Sequence, residues 1–121
     1  MPLTAGRSPD RAGFPCAPSK ALDAKTRAGI GLAVAEANGC SHCLAVHRFA
    51  AKHVAKLPAD EIILARLGHA SDPRRDAAIQ FARRIIETRG EVSDGDLRAV
   101  RDAGYTAANL EEIAALVAMY S

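Results

Sequence analysis

Asn38-Gly39 interrupts a run of small and aliphatic residues, and Cys40-Ser41-His42-Cys43 follows at once, with His47 a turn later. Glycine after a helical run is the usual residue for the left-handed turn that ends a helix. One helix is therefore expected to close near Asn38 and another to open near Cys40. If the segment were one continuous helix, 100° per residue would gather Glu36, Cys40, Cys43 and His47 within an arc of roughly 60°. With the break, both cysteines lie in the first turn of the new helix. There, free backbone N–H groups and the positive end of the helix dipole stabilise a thiolate. In either geometry Cys43 and His47 are four residues apart and can meet one turn on. The broken form is preferred, because it also lowers the thiol pKa.

What surrounds this stretch reads as a helical scaffold. The chain has 121 residues, which suits one domain, and 49% of them are hydrophobic, enough for a core. Aromatic residues make up only 4%, with no Trp, and Ala is abundant. That balance favours close-packed helices over a sheet, which draws on β-branched and aromatic residues. The net charge is only +2 and the two signs are interspersed, so there is no clustered basic stripe for nucleic acid. No apolar run approaches the roughly 18 residues of a membrane span, and no secretory signal core is seen at the N-terminus. Three cysteines, two of them in Cys-x-x-Cys, do not form a secreted disulfide framework. The expected compartment is the reducing cytoplasm.

Residues 1–20 hold four of the six prolines and show no period, so they read as an irregular lead-in to a helical domain over 21–121. Cys16, between Pro15 and Pro18, reads as an incidental thiol. Asp23 is a candidate N-cap for a first helix over 24–37, with Ile30, Leu32, Ala33, Val34 and Ala37 apolar. Gly29 and Gly31 inside it cost roughly 1 kcal/mol each against Ala, so close approach by another helix should compensate. A second helix is expected from Cys40 to Lys56, ended by Leu57-Pro58, with Leu44, Ala51, Val54 and Ala55 at helical spacing. A short third follows over 59–67, with Ile62, Ile63 and Leu67 inward. Ser71-Asp72-Pro73 opens a fourth that runs to Arg89. It carries Ala78, Ile79, Ala82, Ile85 and Ile86 inward, and Arg74, Arg75, Arg83 and Arg84 on its wet side. Ser93 caps a fifth, with Asp96 at the capping-box position. Thr106 opens a sixth, with Leu110, Ile113, Ala114, Val117 and Tyr120 on one face. The expectation is an all-α domain of six helices and no strand.

The residue types of the central stretch admit several chemistries. Two thiols on one helical turn can close a small disulfide without large backbone movement. His47 can take a proton from Cys43, and Glu36 can orient that imidazole. A thiolate attacks the O–O bond of a peroxide, becomes a sulfenic acid and condenses with the neighbouring thiol. A structural zinc site on Cys40, Cys43 and His47 or His42 is the second reading. It lacks the second Cys/His pair that usually completes four ligands, and His53 and His69 are isolated. Two buried cysteines with no chemistry are the third. Covalent haem attachment is excluded, because Leu44 stands where Cys-x-x-Cys-His requires histidine. A thioredoxin-like fold is excluded by the lack of strands.

The run Leu32-Ala33-Val34-Ala35-Glu36-Ala37-Asn38-Gly39-Cys40-Ser41-His42-Cys43, with His47, resembles the core motif of the alkyl hydroperoxidase D / carboxymuconolactone decarboxylase family. Asp72-Pro73, Phe81-Ala82-Arg83, Thr88-Arg89-Gly90, Ala103-Gly104-Tyr105 and Glu111-Glu112-Ile113 extend the likeness over about residues 22–120. The resemblance implies an all-helical domain that assembles as a homotrimer or homohexamer. It implies a thiol-dependent hydroperoxide reductase that needs no cofactor. Carried over by position, Cys43 is the peroxidatic thiol and Cys40 the resolving one. His47 and a Glu form a proton relay, with His42 beside them. Where the family's peroxidase carries its relay Glu this chain has Ala28, and Glu36 takes its place. The implied partners are a hydroperoxide substrate and a dithiol reductant, a lipoyl-bearing protein or a thioredoxin-like one.

Overall fold

A computed structural model describes residues 21–121 of the chain. The lead-in and Cys16 therefore lie outside the described residues. Six helices follow one another: α1 Ala24–Ala37, α2 Ser41–His53, α3 Ala59–Arg66, α4 Pro73–Thr88, α5 Asp94–Asp102 and α6 Ala107–Tyr120. No strand occurs among the described residues, and the all-α expectation holds.

The first helix is the axis of the fold. It packs against α2, α3, α4 and α6, while α4 also packs on α5 and α6. Every residue from Gly29 to Ala35 is buried. A helix apolar all round has no wet face to offer, so its neighbours must enclose it. Asp23 caps it, its carboxylate accepting the Thr26 N–H at 2.7 Å. The expected compensation for the glycines is present. A Cβ on Gly29 would sit 2.7 Å from Ile79 Cδ1 of α4, and one on Gly31 would sit 2.5 Å from the His47 ring of α2. The bare backbone of α1 is thus the surface on which two other helices close.

The remaining signals are realised as capping geometry. Asp72 accepts the Arg75 N–H and Pro73 follows it at the first helical position. Ser93 with Asp96, and Thr106 with Asn109, form capping boxes. The Leu22 N–H donates to Glu112 Oε1 at 3.1 Å, which ties the start of the described chain to α6. Arg75 and Glu61 bridge α4 and α3 at 3.3 Å.

Five expectations are corrected. The second helix ends at His53, three residues short of the expected Lys56. Lys56 adopts φ +62°, and the Leu57 N–H reaches back to the Ala51 carbonyl at 2.8 Å. That turn lowers Leu57 into the core. Val54, placed inward by its spacing, is left outside. Ile63 and Leu67 of α3 are 58% and 63% exposed. Apolar residues run almost without a gap from Ile62 to Leu67, and an eight-residue helix cannot turn all of them inward. Ala65 and Ile62 take the core side. Arg75 and Arg83 are largely covered, with side chains only 16% and 29% exposed, because each folds along neighbouring structure to reach a Glu. Ala114 of α6 is exposed, while Leu116 beside it is buried.

Gly39 sits at φ +65° with nothing within 4 Å of the position a Cβ would take. Backbone strain is then the only penalty of a side chain there. Gly39→Ala should lower stability by about 1 kcal/mol, and Gly39→Asn by less, since Asn tolerates the left-handed region. Urea unfolding of both variants measures this.

Candidate functional site

Breaking the helix at Gly39 makes Cys40 the N-cap of α2, with extended backbone at φ −93°, ψ 101°. Its Sγ accepts the Cys43 N–H at 3.2 Å, as a serine oxygen would at such a cap. Cys43 is the third residue of the helix. The two cysteines are joined in a disulfide, with Cα atoms 5.3 Å apart. That separation is ordinary for a disulfide. Both residues are half-buried, so the pair is reachable from solvent. In the reduced form, the N–H that caps Cys40 and the dipole end beneath both sulfurs favour thiolate over thiol.

His47 lies one turn beyond Cys43 on the same helix and is half-buried. Its ring rests on the bare backbone of Gly31. It also meets Tyr120 of α6 edge to face, ring centroids 4.6 Å apart and planes at 70°. Burial pushes its pKa below the ordinary histidine value of 6.5. A neutral imidazole is the form that accepts a proton from a thiol. Among the described residues His47 makes no hydrogen bond and no ion pair.

The Glu36 carboxylate is half-exposed and binds Arg66 of α3 at 2.8 Å. His42 is exposed on the first turn of α2. His53 stacks on Phe49, and His69 meets Asp76 at 3.2 Å. The structure joins Cys40 to Cys43, as their spacing allowed, and keeps His47 on the same helix four residues after Cys43. Sequence reasoning missed Gly31 and Tyr120, though the two unexplained glycines of α1 were the available signal.

Among the described residues no group of three or more His, Cys, Asp or Glu gathers where a metal could be held. Zinc on this pair would need both sulfurs as thiolates, and in the disulfide they are bonded to each other. A groove of about 740 Å³ opens between α2 and α3, lined in part by Arg48, Phe49, Lys52, Ile63 and Arg66. Its α2 residues lie roughly 140–240° around the helix from Cys43, so the groove is on the far side from the disulfide. No described helix is long and apolar enough to cross a membrane.

Fold and site together define an all-helical protein with a disulfide-forming cysteine pair at a helix N-terminus and a packed histidine one turn on. The sequence profile of the carboxymuconolactone decarboxylase family matches residues 6–88, and the chain belongs to that family. The match begins inside the proline-rich lead-in and ends with α4. Among curated proteins none matches the chain.

Because folded His47 binds its proton less readily than the unfolded chain does, acid should cost stability. Above pH 6.5 both states are neutral there and the full stability is present. As the pH drops below that value the unfolded chain takes up a proton first, so stability falls until the lower folded pKa has been passed. Urea midpoints recorded from about pH 7.5 to about pH 5 should decline, and His47→Gln should flatten that part of the decline.

Proposed function

We propose that the chain is a thiol-dependent hydroperoxide reductase working through the Cys40–Cys43 pair. The observation that carries this reading is the disulfide between the N-cap and third residue of α2, with His47 one turn further on. Membership of a family that includes alkyl hydroperoxidase D-like peroxidases supports it.

In the reduced enzyme His47 accepts the Cys43 proton. The thiolate attacks the terminal oxygen of the hydroperoxide, the O–O bond breaks, and the alkoxide leaves as alcohol after taking a proton from His47. Cys43 is now a sulfenic acid, oxidised by two electrons. The Cys40 thiol attacks that sulfur, the S–O bond breaks, and the hydroxyl leaves as water with the Cys40 proton as the disulfide forms. A dithiol reductant, on a lipoyl-bearing or thioredoxin-like protein, then exchanges with the disulfide through Cys40 and is itself oxidised. Glu36 joins the proton path only by releasing Arg66. His42, next to Cys43 in the chain and exposed, faces the incoming reductant in this scheme. The reaction needs no bound cofactor, and the reducing conditions it requires fit the cytoplasm.

Assembly into a homotrimer or homohexamer is part of the proposal. Its support is the outer face of α2 and α3, where Val46, Phe49 and Ile63 are each more than half exposed. Monomeric surfaces rarely leave such a set of apolar side chains to water.

With a dithiol reductant and cumene hydroperoxide, the protein should consume peroxide. Cys43→Ser should abolish turnover, and Cys40→Ser should stop after one equivalent with a trapped sulfenic acid. Full peroxide consumption by Cys43→Ser would sink the proposal. Glu36→Gln should leave the rate within about twofold, since its carboxylate is engaged with Arg66. Light scattering should give a mass above that of one chain, and Phe49→Glu should reduce it to the monomer.

A further inference from the structure

A histidine that works as a general base is normally aimed by a second group, most often a carboxylate or a backbone carbonyl bonded to its other ring nitrogen. His47 has no such partner among the described residues, and the one acid that the sequence offered, Glu36, is bound to Arg66. Two other groups hold the ring. One is the bare backbone of Gly31, where a Cβ would come within 2.5 Å of Nδ1 and 2.8 Å of Cε1. The second is the Tyr120 ring, edge to face at 4.6 Å. They come from α1 and α6, two elements that also pack on one another. An imidazole packed against both a bare backbone and an aromatic ring has fewer rotamers open to it.

We propose that Tyr120 is a positioning residue which, together with the notch at Gly31, aims the His47 imidazole toward Cys43 by packing, in the role a carboxylate plays for other general-base histidines. The inference rests on the peroxidase reading above for its effect on rate, but not for its geometry. It gives a use to two features outside the cysteine motif. The helix-weakening glycine at position 31 is the seat of the ring. Tyr120, at the end of a helix that otherwise serves the core, is its clamp. Because the contact is made by the aromatic ring, the phenol oxygen is not needed for it.

The test uses the full chain, reduced, with cumene hydroperoxide as probe, and NMR of the His47 ring assigned through His47→Gln. Tyr120→Phe should match the parent in rate of pair oxidation and in the His47 signals. Tyr120→Leu, which keeps apolar bulk, and Tyr120→Ala should both slow oxidation of the pair by about tenfold at unchanged KM. In both, the His47 ring signals should shift and its titration should move up toward 6.5. Gly31→Ala should do the same by pushing the ring from its seat. If the leucine and alanine variants keep the parent's His47 signals and titration, the inference is overturned. It is overturned equally if those signals move while the pair is oxidised at the parent's rate. If the parent consumes no peroxide, the functional proposal falls, and the NMR comparison alone decides whether Tyr120 holds the ring.

Discussion

The close approach of two helices to the backbone of α1 is the contact on which the rest of the structure depends. Gly29 admits Ile79 of α4, and Gly31 admits His47 of α2. Each glycine weakens the isolated helix by roughly 1 kcal/mol. Burial of Ile30, Leu32, Ala33 and Val34 without remaining exposure offsets that loss many times over. The same small residues that let the core close also set how near a polar ring can come to the helix axis. Packing and site geometry therefore share one cause.

The cysteine pair is held by a different principle. Gly39 turns the chain through left-handed backbone, and Cys40 arrives at the N-cap with its sulfur already accepting a helix N–H. The side chain of a cap residue takes no part in the repeating backbone hydrogen bonds of the helix. Sulfur chemistry there can change the bonding of Cys40 without breaking α2, whose first bond runs from the Leu44 N–H to the Cys40 carbonyl at 2.9 Å. An exposed helix suits such a role: α2 buries only Ala51 fully, and its N-terminus stays open to solvent. The two sides of α2 are accordingly distinct. One presents the disulfide and His47, and the other borders the cationic, apolar groove shared with α3.

Local signals were legible wherever a cap residue was chemically specific. Asp23, Asp72, Ser93 and Thr106 each marked a helix start because a side-chain oxygen must meet an orphan N–H. The Gly39 break and the Cys40–Cys43 pairing were legible as well, since both are set within one turn of chain. Side-chain facing was less legible where apolar residues ran on without a period. Ile63 and Leu67 were expected inward and lie outside, and Val54 was lost when α2 ended early so that Leu57 could enter the core.

Sequence by itself thus determined the helices, their starts and the nearness of Cys40 to Cys43, because all of these depend on neighbours within a turn of chain. Only the tertiary structure decided what surrounds His47 and what occupies Glu36. Tyr120 lies 73 positions from His47 and Arg66 lies 30 from Glu36. Which residues meet across such separations depends on how α2, α3, α4 and α6 close around α1, and no periodicity within one helix encodes that.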